Sequence, residues 1–198
     1  MGLNQRKALA GHRPTLQRWF GRSIFLLMIS AALLAGQAAK GSSGSAGGVK
    51  WMAPARWSAE SQRPMRAATY RIPAAGGDAE AGECAVFFFG PGQGGTVEAN
   101  LQRWTSQFQT ADGKAVTGKT QRQQVNGVKV TTLDIAGTYT ASSGPMMAAK
   151  TTKPGFRMLT AVLEGAQAPV FIRLTGPGKT VAAAEAEFQS LVKSVKKE

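Results

Sequence analysis

Two glycine-rich segments have residue types and spacing that could do chemistry. The first, GPGQGGTV at 90–97, follows the apolar run CAVFFF, and its glycines fit the G-x-G-x-x-G spacing of dinucleotide-binding loops. The second, GPGKTV at 176–181, follows an apolar strand pattern and ends in the Gly-Lys-Thr of a phosphate-binding loop. Each precedes a helical pattern, so both segments raise the question of nucleotide or anion binding.

Neither segment completes its nucleotide-binding motif. A dinucleotide fold needs a second, parallel strand that ends in an acidic residue about 20 positions on. Here the next acid, Asp112, lies in the turn ADGK before the following strand, hairpin patterns come next, and Pro91 removes a backbone donor. A phosphate-binding loop would need glycine at the position of Arg173. We therefore predict no nucleotide cofactor, and no other cofactor either.

A simpler anion site remains a hypothesis. Free amides at two helix N-termini could bind one anion, with a lysine assisting. The alternative is structural, because glycine and proline turn the chain sharply and threonine caps the helix. The two segments also share GPG, Thr-Val and a similar apolar spacing, from duplication or from convergence. The candidate anion-binding residues are Gly94, Gly95, Thr96, Gly178, Lys179 and Thr180.

Residues 1–38 have the pattern of an export signal. Five basic residues and no acidic residue precede or flank the apolar run SIFLLMISAALLAG, and Gly36-Gln37-Ala38 fits a cleavage site. The run is shorter than the roughly 20 residues of a membrane-spanning helix, although an uncleaved N-terminal anchor is the alternative. No cysteine near the cleavage site could accept a lipid. Because the segment contains no twin-arginine pair, we expect a general secretory route that delivers the chain to the periplasm or the exterior, with membrane contact only through an uncleaved segment.

Removing residues 1–38 changes which reactive and charged side chains the chain contains. The only histidine, His12, lies within that segment, so the remaining chain lacks the usual general base and zinc ligand. The single cysteine, Cys84, lies in an apolar run and is expected to be a buried thiol rather than a reactive one. Nineteen basic and 11 acidic residues remain, a net charge of +8, and the basic residues are scattered. These features disfavour an enzyme, a metal site and nucleic-acid binding.

The rest of the chain is expected to form a flexible linker and one domain. Residues 39–49 are rich in glycine and serine, which predicts the linker, and 50–198 form the domain. MRAATYRI and CAVFFFG predict strands, and Asn126-Gly127 predicts a hairpin. FRMLTAVLE and VFIRLTG predict a second hairpin. One helix is indicated by the apolar stripe Val97, Leu101, Trp104 and Phe108, with Thr96 as its cap.

The chain ends in a second helical pattern with an inward apolar stripe. The order of elements predicts an α+β fold, an antiparallel sheet of about six strands flanked by two main helices. The segment 142–155 is long for a hairpin loop, and its Met146 and Met147 are candidate partner contacts or, alternatively, part of a mobile polar loop. The residues of the second stripe are Val181, Phe188, Leu191, Val192 and Val195.

Several segments resemble a known group of proteins. RPMRAATYRIP, ECAVFFFGPGQGGTVEANLQRWTSQF and VFIRLTGPGKTVAAAEAEFQSLVKSV are similar to uncharacterised exported bacterial proteins, some of them carried as lipoproteins. The order of elements, ending in a strand, LTGP and a helix, is also similar to the PsbP-like fold, an α/β/α sandwich. That fold includes a photosystem II extrinsic subunit and a Ran-binding import factor. The resemblance implies a non-enzymatic adaptor, and no functional residue of those proteins can be carried over to this sequence.

Three functions follow as hypotheses. The first is an exported, non-catalytic binding or accessory domain that contacts a protein or an anionic envelope component. The second is a hydrolase of envelope polysaccharide that uses paired carboxylates, although no spacing in the sequence pairs its acids across a cleft. The third is an anion- or nucleotide-binding module built on the two glycine segments.

Overall fold

The computed structural model describes residues 41–142 and 150–198, which form a mixed α+β fold. Two helices are present in these ranges, α1 (Val97–Thr105) and α2 (Gly178–Ser194). No helix in the described ranges has the length and apolar character needed to cross a bilayer. The strands, in chain order, are β1 (Ser43–Ala46), β2 (Val49–Met52), β3 (Ser58–Ala59), β4 (Arg66–Ile72), β5 (Gly82–Phe88), β6 (Phe108–Gln109), β7 (Lys119–Val125), β8 (Val128–Ser142), β9 (Lys150–Glu164), β10 (Pro169–Pro177) and β11 (Lys196–Lys197).

An eight-stranded antiparallel sheet forms the centre of the fold. Its order is β3-β4-β5-β10-β9-β8, and the free edge of β8 pairs with β7 along one part and with β6 along another. A second sheet has the order β1-β2-β11. The α+β class is confirmed, but the expected number of about six strands is too small. The additional strands include three of only two residues, β3, β6 and β11, which are too short to produce a hydrophobic period.

The segment expected to be a flexible linker contains a strand. Ser43–Ala46 pairs with Val49–Met52 across a turn at Gly47 and Gly48, both with positive φ. Glycine and serine predict flexibility only where nothing holds the backbone. Here Val49 and Trp51 on the second strand of the hairpin are buried in the core, and β2 also pairs with β11. Tertiary packing therefore orders residues that composition alone assigns to a linker.

The two helices cover opposite faces of the large sheet. Successive side chains of a strand point to opposite faces, so Phe171 and Ile172 of β10 mark the two sides. Phe171 belongs to the apolar cluster of Trp104 from α1, whereas Ile172 belongs to the cluster of Phe188 from α2. The small sheet packs on the α2 side, where Trp51 Nε1 donates to Tyr70 Oη at 3.0 Å. The layers are α1, the large sheet, and α2 with the small sheet.

Local sequence signals are confirmed at the main hairpin and at α2. Val125 pairs with Val128 around Asn126 and Gly127, which have φ of 48° and 79° as a two-residue hairpin turn requires. All five stripe residues expected on the second helix are buried, although Val195 lies one residue beyond its end. The first helix is shorter than expected. It ends at Thr105, and Phe108 reaches the same buried cluster from β6.

Candidate functional site

The first glycine segment is a turn that packs on the sheet and leads into α1. Thr96 is the helix cap, as predicted, and its Oγ1 accepts from the Ala99 amide at 3.1 Å. Asn100 is buried and donates to the carbonyls of Gly94 at 2.7 Å and Thr96 at 2.8 Å. Gly94 has φ of 87°, and a Cβ there would lie 2.7 Å from Phe171 Cε2. Its glycine is explained by backbone conformation and close packing.

The second glycine segment has no loop at all. Strand β10 ends at Pro177 and α2 begins at Gly178, so Thr180 lies inside the first turn and is not the helix cap that was predicted. The cap comes instead from the loop between β4 and β5. Asp78 Oδ2 accepts from the Thr180 amide at 2.7 Å and from Thr180 Oγ1 at 3.0 Å. A carboxylate of the chain itself therefore lies where an external anion would bind.

Each glycine segment forms a corner between a strand and the helix that follows it, and the two corners do not face one another. They follow β5 and β10, which are antiparallel neighbours with Phe88 opposite Val170 and Glu83 opposite Thr175. Two antiparallel neighbours lead into their next elements at opposite ends of the pair, here seven residues or about 24 Å apart along the strands, from Val170 opposite Phe88 to Pro177. The helices that they begin also lie on opposite faces of the sheet. The hypothesis of one anion shared by both corners is therefore wrong, because it would require parallel strands.

The candidate partner contacts Met146 and Met147 lie outside the described residues. They belong to the segment that joins β8 to β9. Their proposed contact role remains a prediction.

Three arginines converge beside the first corner, on the face that α1 covers. The Cζ atoms of Arg66 on β4 and Arg173 on β10 each lie 5.5 Å from the centroid of the Phe87 ring. Phe87 stacks on Phe89 with centroids 6.0 Å apart. From α1, Arg103 donates to Asn100 Oδ1, the side chain that also holds the glycine turn. We call Arg66, Phe87, Phe89, Arg103 and Arg173 the arginine shelf.

The arginine shelf has an excess of positive charge. Arg66 forms an ion pair with Glu83 at 2.9 Å, whereas the guanidinium of Arg173 has no hydrogen-bond or ion-pair partner among residues 41–142 and 150–198. Burial lowers the pKa of the Arg173 guanidinium most, and the charges of Arg66 and Arg103 lower it further, against opposing effects of Tyr139 and Glu83. A partly buried cation without a counter-ion favours the approach of an anion.

Several carboxylates, in contrast, are held in structural contacts. Asp134 and Glu185 both bind Arg157, at 2.7 and 2.9 Å. The pKa of Glu187 is lowered by its hydrogen bond from Arg56, against a smaller effect of burial. A general acid for glycoside hydrolysis needs a raised pKa instead. Within the described part of the chain, no group of three His, Cys, Asp or Glu residues could hold a metal ion.

Cys84 is fully buried on β5, as expected. Loss of solvation raises the pKa of its thiol far above the usual range. A thiolate, the nucleophilic form, is therefore disfavoured at neutral pH. The arrangement of ionisable groups supports recognition of an anion better than proton transfer or nucleophilic attack.

The sequence pattern does not indicate the arginine shelf. Arg66 and Arg103 belong to a scattered set of basic residues that predicts a solvated face, and Arg173 stands where a phosphate-binding loop would need glycine. One signal was present: Arg173 interrupts the apolar strand pattern VFIRLT, and an arginine inside a central strand needs a partner or a function. The convergence itself depends on the register of β4, β5 and β10, which the sequence pattern does not specify.

Comparison with known proteins gives a structural likeness only. No protein-family model matches the chain, and no curated protein matches its sequence. The chain is similar in structure to cyanobacterial PsbP (CyanoP) from Synechocystis sp. PCC 6803, with a TM-score of 0.50 and 12% identity over 86% of this chain and 99% of that one. It is also similar to PA94 of Pseudomonas aeruginosa, a protein of unknown function, with a TM-score of 0.44 and 12% identity over 78% of this chain and 95% of that one. The expectation of a PsbP-like fold is supported by the first of these structures.

Proposed function

We propose that this chain is an exported, non-catalytic accessory domain whose arginine shelf binds an anionic partner, an acidic protein segment or an anionic envelope component. One observation carries the proposal: Arg173 is partly buried beside two further guanidinium groups and has no counter-ion among the described residues. A cation in this environment is desolvated by the fold, and an incoming anion recovers interaction energy that the free protein lacks. Export rests on the pattern of residues 1–38.

The aromatic rings of the shelf support the same function. Phe87 and Phe89 are partly exposed next to the guanidinium groups, whereas Phe171 beneath them is buried. Aromatic side chains and arginine are the residue types most enriched at the energetic centres of protein interfaces. The shelf therefore offers apolar area together with charge.

The other two hypotheses receive less support. Paired carboxylates for a hydrolase would have to be free, yet Asp134, Glu185 and Glu187 are each bound by an arginine. For the anion module, the α2 terminus already holds the Asp78 carboxylate. These carboxylates and the α2 terminus are already occupied by contacts within the chain, whereas the shelf contains an unpaired cation.

Affinity capture from an envelope extract tests the proposal. Arg103 is exposed on the shelf, and Lys193 is exposed at the end of α2 on the opposite face, so Arg103→Gln and Lys193→Gln are matched losses of one charge. We expect the full chain and Lys193→Gln to retain the same components, with release by added salt, and Arg103→Gln to retain several-fold less. Retention of nothing, or equal retention by both variants, would contradict the proposal.

A further inference from the structure

Met65, directly before β4, has a backbone conformation that its side chain disfavours. Its φ is 63°, and within the described ranges Asn126 in the hairpin turn is the only other residue besides glycine with a positive φ. The Arg66 amide donates to the Arg63 carbonyl at 3.2 Å with Pro64 at the second position, the pattern of a type II turn, whose third position favours glycine. A long side chain in this conformation costs free energy, and such positions concentrate where a protein binds something.

The side chain of Met65 is also the most exposed of its kind. It is 71% exposed, and among the large apolar side chains of the described residues only Met52, at 48%, is also classed with it as exposed. One exposed methionine needs no explanation by itself, but one that also occupies a strained backbone position does. Glycine would form the same turn without either cost, so the methionine side chain itself requires a role.

The turn at Met65 leaves a cavity beside Phe88. The pairing of β4 with β5 begins at Arg66, opposite Phe87, so Phe88 has no neighbour on the β4 side. The Phe88 ring is packed from elsewhere, since a Cβ at Gly47 would lie 2.9 Å from its Cε2 atom. A shallow cavity of about 440 Å³ lies at this position, and the residues that line it include Pro64, Met65, Arg66 and Phe88. It offers a thioether and a phenyl ring to an apolar side chain from outside.

The charges beside this cavity are balanced, unlike those of the shelf. Arg63 forms ion pairs with Glu60 at 2.5 Å and with Glu83 at 2.9 Å. Glu83 also binds Arg66, so two guanidinium groups meet two carboxylates. An anionic bilayer gains little at such a turn. A peptide can instead place an apolar side chain in the cavity and acidic residues near Arg173, because Arg66 lines the cavity and also belongs to the shelf.

We propose that the cavity between Met65 and Phe88 binds a phenylalanine side chain of an acidic protein segment, while acidic residues beside that phenylalanine contact the arginine shelf. This inference rests on the proposed function, and it specifies a protein segment rather than another anionic envelope component. Methionine adapts to different shapes and makes favourable contacts with aromatic rings, which suits this position. The apolar contact determines which acidic segment binds, and the guanidinium groups attract it.

Two labelled peptides test the inference by fluorescence anisotropy with the full chain. One has a single phenylalanine among glutamates, and the other has alanine in its place, so that the charges are equal. We expect the phenylalanine peptide to bind about tenfold more tightly, because its ring leaves water when it enters the cavity. Vesicles of phosphatidylglycerol and phosphatidylcholine provide the membrane comparison, and their binding should not depend on residue 65.

Variants at residue 65 separate binding from folding. Asparagine tolerates the left-handed conformation, so Met65→Asn should keep the melting temperature within about 2 °C and remove the preference for the phenylalanine peptide. Met65→Leu keeps a large apolar side chain and should retain most of the preference. Met52→Ala removes the other exposed methionine, which lies on β2 of the small sheet, and should leave the preference unchanged.

The outcomes distinguish this inference from the proposed function. Equal affinity for the two peptides, no binding of either, or a preference that survives Met65→Asn would overturn the inference. Vesicle binding that is lost in Met65→Asn would overturn it in favour of a membrane contact. If capture from the extract still depends on Arg103 in these cases, the proposed function stands without the phenylalanine site. If capture is independent of Arg103, the proposed function falls as well.

Discussion

The two faces of the large sheet are built differently. On one face the 17-residue helix α2 covers a continuous apolar cluster. On the other face the nine-residue helix α1 covers only part of the sheet and leaves guanidinium groups, hydroxyls and partly exposed rings beside it. Under the proposed function, the α2 face stabilises the fold and the α1 face contacts the partner.

The largest expected effect is on the α2 face. Phe188 is 1% exposed in the centre of its cluster, so Phe188→Ala should lower the free energy of unfolding by about 3–5 kcal/mol. The matched change on the shelf, Phe89→Ala, removes a partly exposed ring and should lower it by about 1 kcal/mol. Urea denaturation of both variants measures the difference. Similar losses for the two would mean that the faces are not specialised.

Removing the cap of α2 should produce the next largest effect. In Asp78→Ala the Thr180 amide and hydroxyl lose their acceptor, and we expect a loss of about 1–2 kcal/mol. Thr96→Ala at α1 should lose about 1 kcal/mol, because that helix is shorter and its cap is exposed. Both values come from urea denaturation. A stable Asp78→Ala protein would show that the α2 terminus is open to other anions.

A substitution at Thr160, on the same face of the sheet as the arginine shelf, should change the free energy of unfolding in the opposite direction. Replacing a buried hydroxyl that has no partner with a methyl group removes an unsatisfied polar atom. Thr160→Val should therefore raise the free energy of unfolding of the ligand-free protein by about 1 kcal/mol. Thermal denaturation without added anion provides the measurement. A loss of stability would mean that the hydroxyl has a partner in solution, such as an ordered water molecule.

A small pH-dependent effect is expected on the α2 face, at Arg56 and Glu187. Because the Arg56 guanidinium lowers the folded-state pKa of Glu187, the pair stabilises the fold above the unfolded carboxyl pKa of about 4.3, and this contribution disappears as pH falls through the folded value. The Arg56 side chain is 43% exposed, so Arg56→Gln should lose only about 0.5 kcal/mol at pH 7. Urea titrations at pH 7 and pH 3 compare the two. A loss that is equal at both pH values would exclude the electrostatic origin.

The sequence was sufficient for the elements that carry a strong local signal. Asn126-Gly127 specifies its turn by backbone conformation, and the stripe of α2 has the helical period over four turns. The sequence was insufficient for features that depend on contacts between distant parts of the chain. The strand at 43–46 is ordered by the burial of Val49 and Trp51, and the cap of α2 comes from Asp78, about 100 residues away.

The arginine shelf shows the same limit. Arg66, Arg103 and Arg173 are distant in sequence, and only the order β4-β5-β10 and the position of α1 bring them together. The glycine segments show the converse, since similar sequences adopt different geometries. Thr96 caps its helix, whereas Thr180 lies inside the first turn and accepts a hydrogen bond from Ala75. Local sequence similarity predicts a strand-to-helix corner but not which side chain caps the helix.

The central claim, that the α1 face binds an anionic partner, is tested most directly by mapping where an acidic chain contacts the protein. A titration of the labelled full chain with polyglutamate, read by amide chemical shifts, compares the two faces in one experiment. The account predicts shifts around residues 87–103 and at Arg173 that diminish with added salt, and little change along α2. Shifts confined to the lysines at 193–197, or no shift at all, would contradict it.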